Sequence, residues 1–266
     1  MSESTSDARS ASEPRVIVSD EGRVRVLTLS HPASLNGLGP VMRELLMQQF
    51  DRAAADSDVA AIVITGDGGN FSAGSDIGAI LDQSLEARTE RLAEFQLFLA
   101  GWRQLEKPVL IAVEGAAAGG GVSMVLAADW AIGSTDSRFT GGWVALGLAP
   151  DAGALWWLVR VLGRKRAFEW VHSRSSMTAT DAASSGMLTA TCPPGEALRA
   201  ALERAQQLVS LPAAARAETK RLMAAALQAP SLDDYLPLEL SSLASLFASE
   251  EHREAVRAFL ARRHGG

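Results

Sequence analysis

The stretch that decides the fold runs from Val109 to Met124 and reads VLIAVEGAAAGGGVSM. Its first five residues are all apolar, which is typical of a strand in a sheet that is covered on both faces. The glycines Gly119–Gly121 then open an apolar helix. Glycines let a ligand approach the backbone, and the unpaired N–H groups at a helix start point toward negative charge. The segment can therefore form part of an oxyanion hole, although such a run taken alone is more typical of a closely packed turn. It lacks the spacing of a dinucleotide fingerprint and the lysine of a P-loop.

A second segment with the same pattern favours the oxyanion hole over a closely packed turn. The apolar stretch Ala60–Thr65 (AAIVIT) predicts another buried strand, and Asn70–Ile77 (NFSAGSDI) follows it with a glycine turn at Gly74. Gly74 and Gly120 are 46 residues apart in the chain. Two strands of one sheet can bring two such turns together, so that two main-chain N–H groups point at one oxygen.

The rest of the chain alternates short strands and helices up to about Cys192. Arg15–Ser19 and Val24–Ser30 flank Asp20-Glu21-Gly22, which predicts a hairpin. Val41–Ala54 has a helical period, and a longer helix is predicted over Ser84–Leu105. In the first of these helices the predicted buried face consists of Val41, Leu45, Leu46 and Phe50.

Further along, Thr178 and Asp181 resemble a capping box, and Gly186 is placed to end that helix. From Gly195 onward the pattern is helical only. These patterns predict a disordered tail at 1–14, an α/β core at 15–195 and a helical C-terminal region at 196–266.

Composition excludes several classes of function. The 266 residues carry a formal net charge of −6, so the chain has no global basic field for nucleic acid or an anionic membrane surface. No apolar run approaches the length of about 18 residues that a membrane span needs. The single cysteine, Cys192, excludes an internal disulfide, and four scattered histidines argue against a zinc site. A cytoplasmic location and no bound metal are expected.

With these motifs in order, the chain resembles the crotonase (enoyl-CoA hydratase/isomerase) superfamily. The resemblance is carried by SLNGL (34–38), AIVITGDGGNFSAGSDI (61–77), KPVLIAVEGAAAGGG (107–121), AADWAIG (127–133), ALGLAPDAGALWWLVRVLGRKRAFEW (145–170) and the TATDAASSGML segment (178–188). It covers about residues 15 to 195, with a weaker helical tail.

The resemblance implies an α/β fold, a spiral of ββα units followed by a helical C-terminal trimerisation region, and hence a trimer or a dimer of trimers. It also implies an acyl-CoA or acyl-carrier thioester substrate, with CoA as part of the substrate and no separate cofactor. The thioester carbonyl would accept from the amides of Ser75 and Gly120. Residues expected to line the substrate site are Ser72, Ala73, Gly74, Asp76, Ile77, Gly119, Ser123, Trp143 and Leu148.

The resemblance also shows where this chain departs from the family pattern. Family hydratases hold their water between two glutamates, and the matching positions here are Ser123 and Trp143. Adding water to a double bond requires a proton taken from water and one delivered to carbon. Neither side chain does this near neutral pH, so ordinary hydration is not expected.

Asp151, eight residues after Trp143, is the candidate that remains. In the family this position serves double-bond isomerases as the base and 4-chlorobenzoyl-CoA dehalogenase as a nucleophile, the latter beside a tryptophan at the Trp143 position. The favoured prediction is an isomerase that shifts 3-enoyl to 2-enoyl thioesters with Asp151 as acid and base. A purely structural alternative makes Asp151 a helix cap, and Asp76 is also read as a cap.

Other chemistries of the family stay open. They are dehalogenation, decarboxylation, C–C cleavage, atypical hydration and a catalytically silent protein that binds acyl-CoA. Dehalogenation is disfavoured because that chemistry needs a histidine on the helix before Lys107, where the comparable face holds Phe95, Gln96 and Phe98.

Overall fold

The computed structural model describes residues 13–75, 78 and 83–264, and the main sheet dominates it. Its strands lie side by side in the order β1 (Arg15–Glu21), β2 (Val24–Ser30), β3 (Ala61–Gly66), β4 (Val109–Val113), β6 (Trp130–Ser134) and β9 (Ala190–Cys192). The first two form the predicted antiparallel hairpin, and every later pairing is parallel. A smaller sheet contains β5 (Ala116–Ala118), β7 (Arg138–Thr140) and β8 (Met177–Thr178).

Helices connect these strands up to β9 and then continue alone. The helices among the strands are α1 (Pro40–Ala55), α2 (Leu85–Gly101), α3 (Gly120–Ala127), α4 (Ala154–His172, broken at Gly163) and α5 (Ala179–Ser185). The C-terminal helices are α6 (Ala197–Val209), α7 (Ala213–Ala226), α8 (Leu232–Ala248) and α9 (Glu250–His264). This order confirms the α/β class and the change to helices after the last strand.

The apolar strands are buried on both faces because their alternate side chains enter two different cores. In β4, Val109, Ile111 and Val113 join the core shared with α1 to α5, whereas Leu110 and Ala112 join the core on the opposite face. That second core is closed by α6, whose buried Ala197, Ala201 and Ala205 recur every four residues. Small side chains at this spacing let the helix lie close to the sheet.

The predicted buried face of α1 is wrong at its first residue. Val41 is 53% exposed and Leu45 is half-buried, whereas Leu46 and Phe50 are buried as predicted, together with Met42 and Ala53. The spacing of four, four and three residues still follows one helical face, but its start is shifted by one position. The helix predicted over 84–105 begins as expected, with Ser84 accepting from the Ala87 amide, and ends earlier, at Gly101.

The predicted Thr178 cap and the stop at Gly186 are confirmed, since the Thr178 hydroxyl accepts from the Asp181 amide and Gly186 ends α5 in the left-handed conformation. The reciprocal half of a capping box is different here, because the Asp181 carboxylate accepts from the Thr178 hydroxyl. Within the described ranges no helix is both long and apolar enough to cross a bilayer. The division at residues 195 and 196 stays a prediction, as does the tail at 1–14, of which residues 1–12 lie outside the described part.

Candidate active site

The two glycine turns predicted from the sequence lie against each other. The segment after β3 pairs with β5, because the Ser72 amide donates to the Ala116 carbonyl at 3.0 Å and the Ala118 amide donates to the Ser72 carbonyl at 2.8 Å. A Cβ atom placed on Gly74 would lie 2.4 Å from the Ala118 carbonyl oxygen and 3.0 Å from the Gly120 nitrogen. Only glycine fits this approach, and Gly74 also has a φ of 79°. The pairing therefore explains how turns 46 residues apart become neighbours.

A helix begins at this junction and presents main-chain N–H groups there. Helix α3 begins at Gly120, after Gly119 at a φ of 47° and a ψ of −116°, and its first helical turn has no side-chain cap. The amides of a first turn have no partner within their own helix. Gly119 itself donates to the Thr140 carbonyl at 3.0 Å, which anchors the turn to β7. The Gly120 amide therefore stands at a helix start, and its nitrogen lies next to Gly74 of the other turn.

Both turns open into one cavity of about 380 Å³. This volume is within the range of about 300–1,000 Å³ that is usual for small-molecule sites. The start of α1, the side of α2 and the loop before α4 complete the walls. Of the predicted site residues, those that line the cavity are Ala73, Ser75, Gly119, Gly120, Trp143, Leu148 and Asp151.

Other predicted site residues lie behind this wall or outside the described residues. Ser72 is fully buried, and its hydroxyl donates to the Asn36 carbonyl at 2.8 Å while accepting from the Gly74 amide at 3.2 Å. It supports the turn from behind, and Gly74 forms the turn itself. Asp76 and Ile77 lie outside the described residues, so their predicted roles stay predictions.

The Asp151 carboxylate is held by a tryptophan. The indole Nε1 of Trp143 donates to Asp151 Oδ1 at 3.0 Å, and Oδ2 has no donor among the described residues. Trp143 is 4% exposed and packs edge-on against Trp170, which keeps the indole in place. One carboxylate oxygen is thus oriented by the indole, and the Asp151 side chain lines the cavity.

Asp151 does not cap α4 with its side chain. That helix starts after Gly153, with no side-chain cap, and the contact Asp151 makes with it is its main-chain oxygen accepting from the Ala154 amide at 2.9 Å. Between them, Ala152 has a φ of 48° and Gly153 a φ of 80°. The left-handed conformation is strained for Ala152 because it has a side chain, and such strained residues are concentrated at functional sites. The cap interpretation is therefore wrong for the side chain.

Ser123 fills a buried position beneath Asp151. Its side chain is fully buried, and its hydroxyl lies 3.3 Å from both the Gly119 and the Asp151 carbonyl oxygens. A hydroxyl that donates to main-chain oxygens in this way joins the glycine turn to the Asp151 loop. It does not line the cavity.

A basic residue in the cavity wall was missed from the sequence. Arg43 lies in the first turns of α1. Its Nε donates to the Leu38 carbonyl and its Nη2 donates to Ser75 Oγ, both at 2.8 Å. Its guanidinium lies 5.1 Å from the centre of the Phe95 ring. Burial lowers the pKa of the Arg43 guanidinium from its ordinary value, while the charge of Asp151 opposes this lowering. The sequence contained one signal for this residue, its position near the start of the predicted helix, because a cation near a helix N-terminus opposes the helix dipole.

Comparisons with known proteins identify the family and the fold. Residues 19–265 match the family model described as "Enoyl-CoA hydratase/isomerase". A Rhodobacter capsulatus protein named "Probable enoyl-CoA hydratase" is 35% identical over 90% of this chain and 91% of its own length. The 2,3-dehydroadipyl-CoA hydratase of Escherichia coli is 31% identical over 93% of this chain and 96% of its own length. The crystal structure of an enoyl-CoA hydratase from Polaromonas sp. JS666 superposes with a TM-score of 0.89 at 29% identity, covering 93% of this chain and 97% of that one.

A family match over nearly the whole chain, a shared fold, and two glycine turns that meet at one cavity lead to the same assignment. The chain belongs to the enoyl-CoA hydratase/isomerase family and has the crotonase fold.

Proposed function

We propose that this family member shifts the double bond of an acyl-CoA thioester from the 3,4 to the 2,3 position, with Asp151 as the acid and base. The observation that carries the proposal is that Asp151 shares one cavity with both glycine turns and is the only acidic side chain among the described residues that line it. An isomerase needs one group that removes a proton and returns it.

The steps follow from these positions. The amides of Ser75 and Gly120 donate to the thioester oxygen and make the proton on C2 of a 3-enoyl thioester acidic. Asp151 takes that proton, and the electron pair enters a dienolate whose negative oxygen the two amides hold. The protonated Asp151 then delivers the proton to C4, and the double bond settles between C2 and C3. No atom is gained or lost, so no further reactant is required.

Hydration by a pair of carboxylates is not supported by the described cavity wall. The family positions of the two hydratase glutamates are Ser123, whose hydroxyl donates to main-chain oxygens, and Trp143, whose indole donates to Asp151. Neither group takes a proton from water near neutral pH. The relatives named as hydratases therefore indicate the family and the thioester chemistry, while the reaction of this chain follows from Asp151.

The test is to supply 3-hexenoyl-CoA and to follow the absorbance of the conjugated enoyl thioester. Asp151→Asn should lower kcat by at least about 100-fold, the low end of the contribution of a general acid or base. Asp51→Asn, an exposed carboxylate on α1, is the matched control and should leave the rate unchanged.

Two results would contradict the proposal. One is faster hydration of crotonyl-CoA than isomerisation by the unmodified protein. The other is tight binding of hexanoyl-CoA without any turnover of the 3-enoyl substrate, which would favour a silent acyl-CoA-binding protein.

We also propose that the helical C-terminal region forms subunit contacts in a trimer or a dimer of trimers. Large apolar side chains on α8 and α9 are exposed in the single chain, among them Leu240, Phe247 and Phe259 at 69%, 62% and 59%. Leu240 and Phe247 are seven residues apart and therefore lie on one face of α8, and exposed apolar patches mark interaction sites. Light scattering coupled to size exclusion should give three or six times the chain mass, and a monomer would contradict the assembly.

A further inference from the structure

The position of Arg43 in the cavity wall is unfavourable for a cation in two ways. It lies in the first turns of α1, where the helix dipole disfavours a cation by a few tenths of a kcal/mol or more. Its guanidinium is also largely removed from water, and burial lowers its pKa for that reason. Charged groups in such positions are normally paired. Arg43 remains protonated at neutral pH, because a guanidinium does not lose its proton in proteins.

Among the described residues Arg43 has no counter-charge in contact with it. None of the ion pairs between described residues includes Arg43, and its Nη1 group has no hydrogen-bond acceptor among those residues. Its known partners, the Leu38 carbonyl and the Ser75 hydroxyl, are neutral. The nearby charge of Asp151 acts on Arg43 electrostatically without forming an ion pair.

Two more arginines share the cavity wall. Arg88 and Arg91, both on α2, line it together with Arg43, whereas Asp151 is the only carboxylate among the described lining residues. Arg91 is half-buried and donates to the Gln83 side chain, and its charge further lowers the pKa of Arg43. Two neighbouring cations repel each other unless an anion lies between them. The balance of charge in the described wall is thus positive.

Apolar side chains form most of the remaining wall, including Leu38, Leu92, Leu146 and Leu148. A plain hydrocarbon chain would pack well on these apolar side chains. It would also cover the Arg43 guanidinium with carbon atoms and remove its remaining contact with water. An acyl chain that ends in a carboxylate would satisfy both parts of the cavity. Its two oxygens match the planar guanidinium, which binds carboxylates by two parallel hydrogen bonds.

We propose that the acyl group taken by this cavity carries a carboxylate at its far end, and that Arg43 binds that carboxylate with Arg91 contributing positive charge. The substrate class is then the mono-CoA thioester of an unsaturated dicarboxylic acid. This deepens the proposed function and rests on it for the cavity's role as the acyl pocket. Arg43 would determine specificity, and through Ser75 it would also position the turn that holds the thioester oxygen.

The test uses saturated ligands, so that it does not depend on turnover. Dissociation constants are measured by calorimetry for mono-CoA esters of dicarboxylic acids with four to eight carbons, each paired with the monocarboxylic acyl-CoA of equal length. At the length that fits, the dicarboxylic ester should bind at least about tenfold more tightly, which is the scale of one hydrogen-bonded charge pair. Arg43→Gln should remove most of this preference, and Arg91→Gln should reduce it.

Arg52→Gln is the matched control, since Arg52 is an exposed arginine on the same helix and should keep the full preference. Because Arg43→Gln can weaken all CoA esters through Ser75, the ratio within each pair is the decisive quantity. An unmodified protein that prefers the monocarboxylic ester at every length would overturn the proposal without reference to any variant. A preference that survives Arg43→Gln would overturn the role of Arg43. If the protein prefers the dicarboxylic ester but does not isomerise 3-enoyl thioesters, this inference holds and the proposed reaction is wrong.

Discussion

Replacing Gly74 by alanine tests whether the contact between the two glycine turns makes the site. Two costs can be separated at this position. The first is backbone strain, because the φ of 79° is left-handed and costs an alanine about 1–2 kcal/mol. The second is steric, because the new Cβ would lie 2.4 Å from the Ala118 carbonyl oxygen. An ordinary contact between carbon and oxygen is about 3.3 Å, so one turn must move by roughly 0.9 Å.

The turn that moves carries one of the two amides proposed to hold the thioester oxygen. A misplacement of about 1 Å costs on the order of 100-fold in rate. Loss of one oxyanion donor costs a similar amount, about 100- to 1,000-fold in kcat. Gly74→Ala should therefore lower the kcat for 3-hexenoyl-CoA by about 100-fold or more.

Gly195→Ala is the matched control for strain alone. Gly195 has a φ of 83°, and no atom lies within 4 Å of its added Cβ. This variant should lose about 1–2 kcal/mol of stability and keep its rate. The loss of stability is measured by urea unfolding and the rate by the absorbance assay.

The carbonyl stretch of bound hexanoyl-CoA, recorded by difference infrared spectroscopy, reports the polarisation without any turnover. It should shift to lower frequency in the unmodified protein and in Gly195→Ala, and less in Gly74→Ala. A folded Gly74→Ala variant whose rate and carbonyl frequency equal those of Gly195→Ala would refute the reasoning about the two turns.

Two further predictions concern the carboxylate support and the C-terminal helices. Trp143→Phe removes the N–H that orients Asp151 and should lower kcat about tenfold. Trp102→Phe is the control, because the buried Trp102 indole packs on Phe50 and has no hydrogen-bond partner in the described structure, so this variant should keep its rate. Equal rate losses of the two variants in steady-state assays would contradict the role of Trp143. Lys220→Met removes the ammonium 2.5 Å from Asp129 Oδ2, leaves that oxygen only the Val109 amide as a donor, and should destabilise the chain by about 1–3 kcal/mol at pH 7. Burial already raises the pKa of Asp129, and losing Lys220 raises it further, so the deficit should shrink as the pH falls through the carboxylate range; urea unfolding that shows a deficit growing toward acid would be the opposite result.

Most of the fold could be read from local patterns. The continuous apolar strands at Ala61–Gly66 and Val109–Val113 predicted a sheet covered on both faces, because such strands have no side left for water. The glycines at Gly74 and Gly120 marked the turns, and at Gly74 only glycine permits the close approach that the structure shows between the two segments. Start signals at Ser84 and Thr178 were correct since a cap depends on only a few neighbouring residues.

What the tertiary structure decided was how distant side chains meet. Arg43 lies 32 residues before Ser75, and no local pattern pairs them, yet the packing of α1 brings its guanidinium to the serine hydroxyl and into the cavity. The indole of Trp143 could be read as core or as pocket wall, and only the turn at residues 151–153 shows that it donates to Asp151. Sequence periodicity records which face of an element is apolar, whereas the electrostatics of a site arise from contacts between elements, and those exist only once the chain has folded.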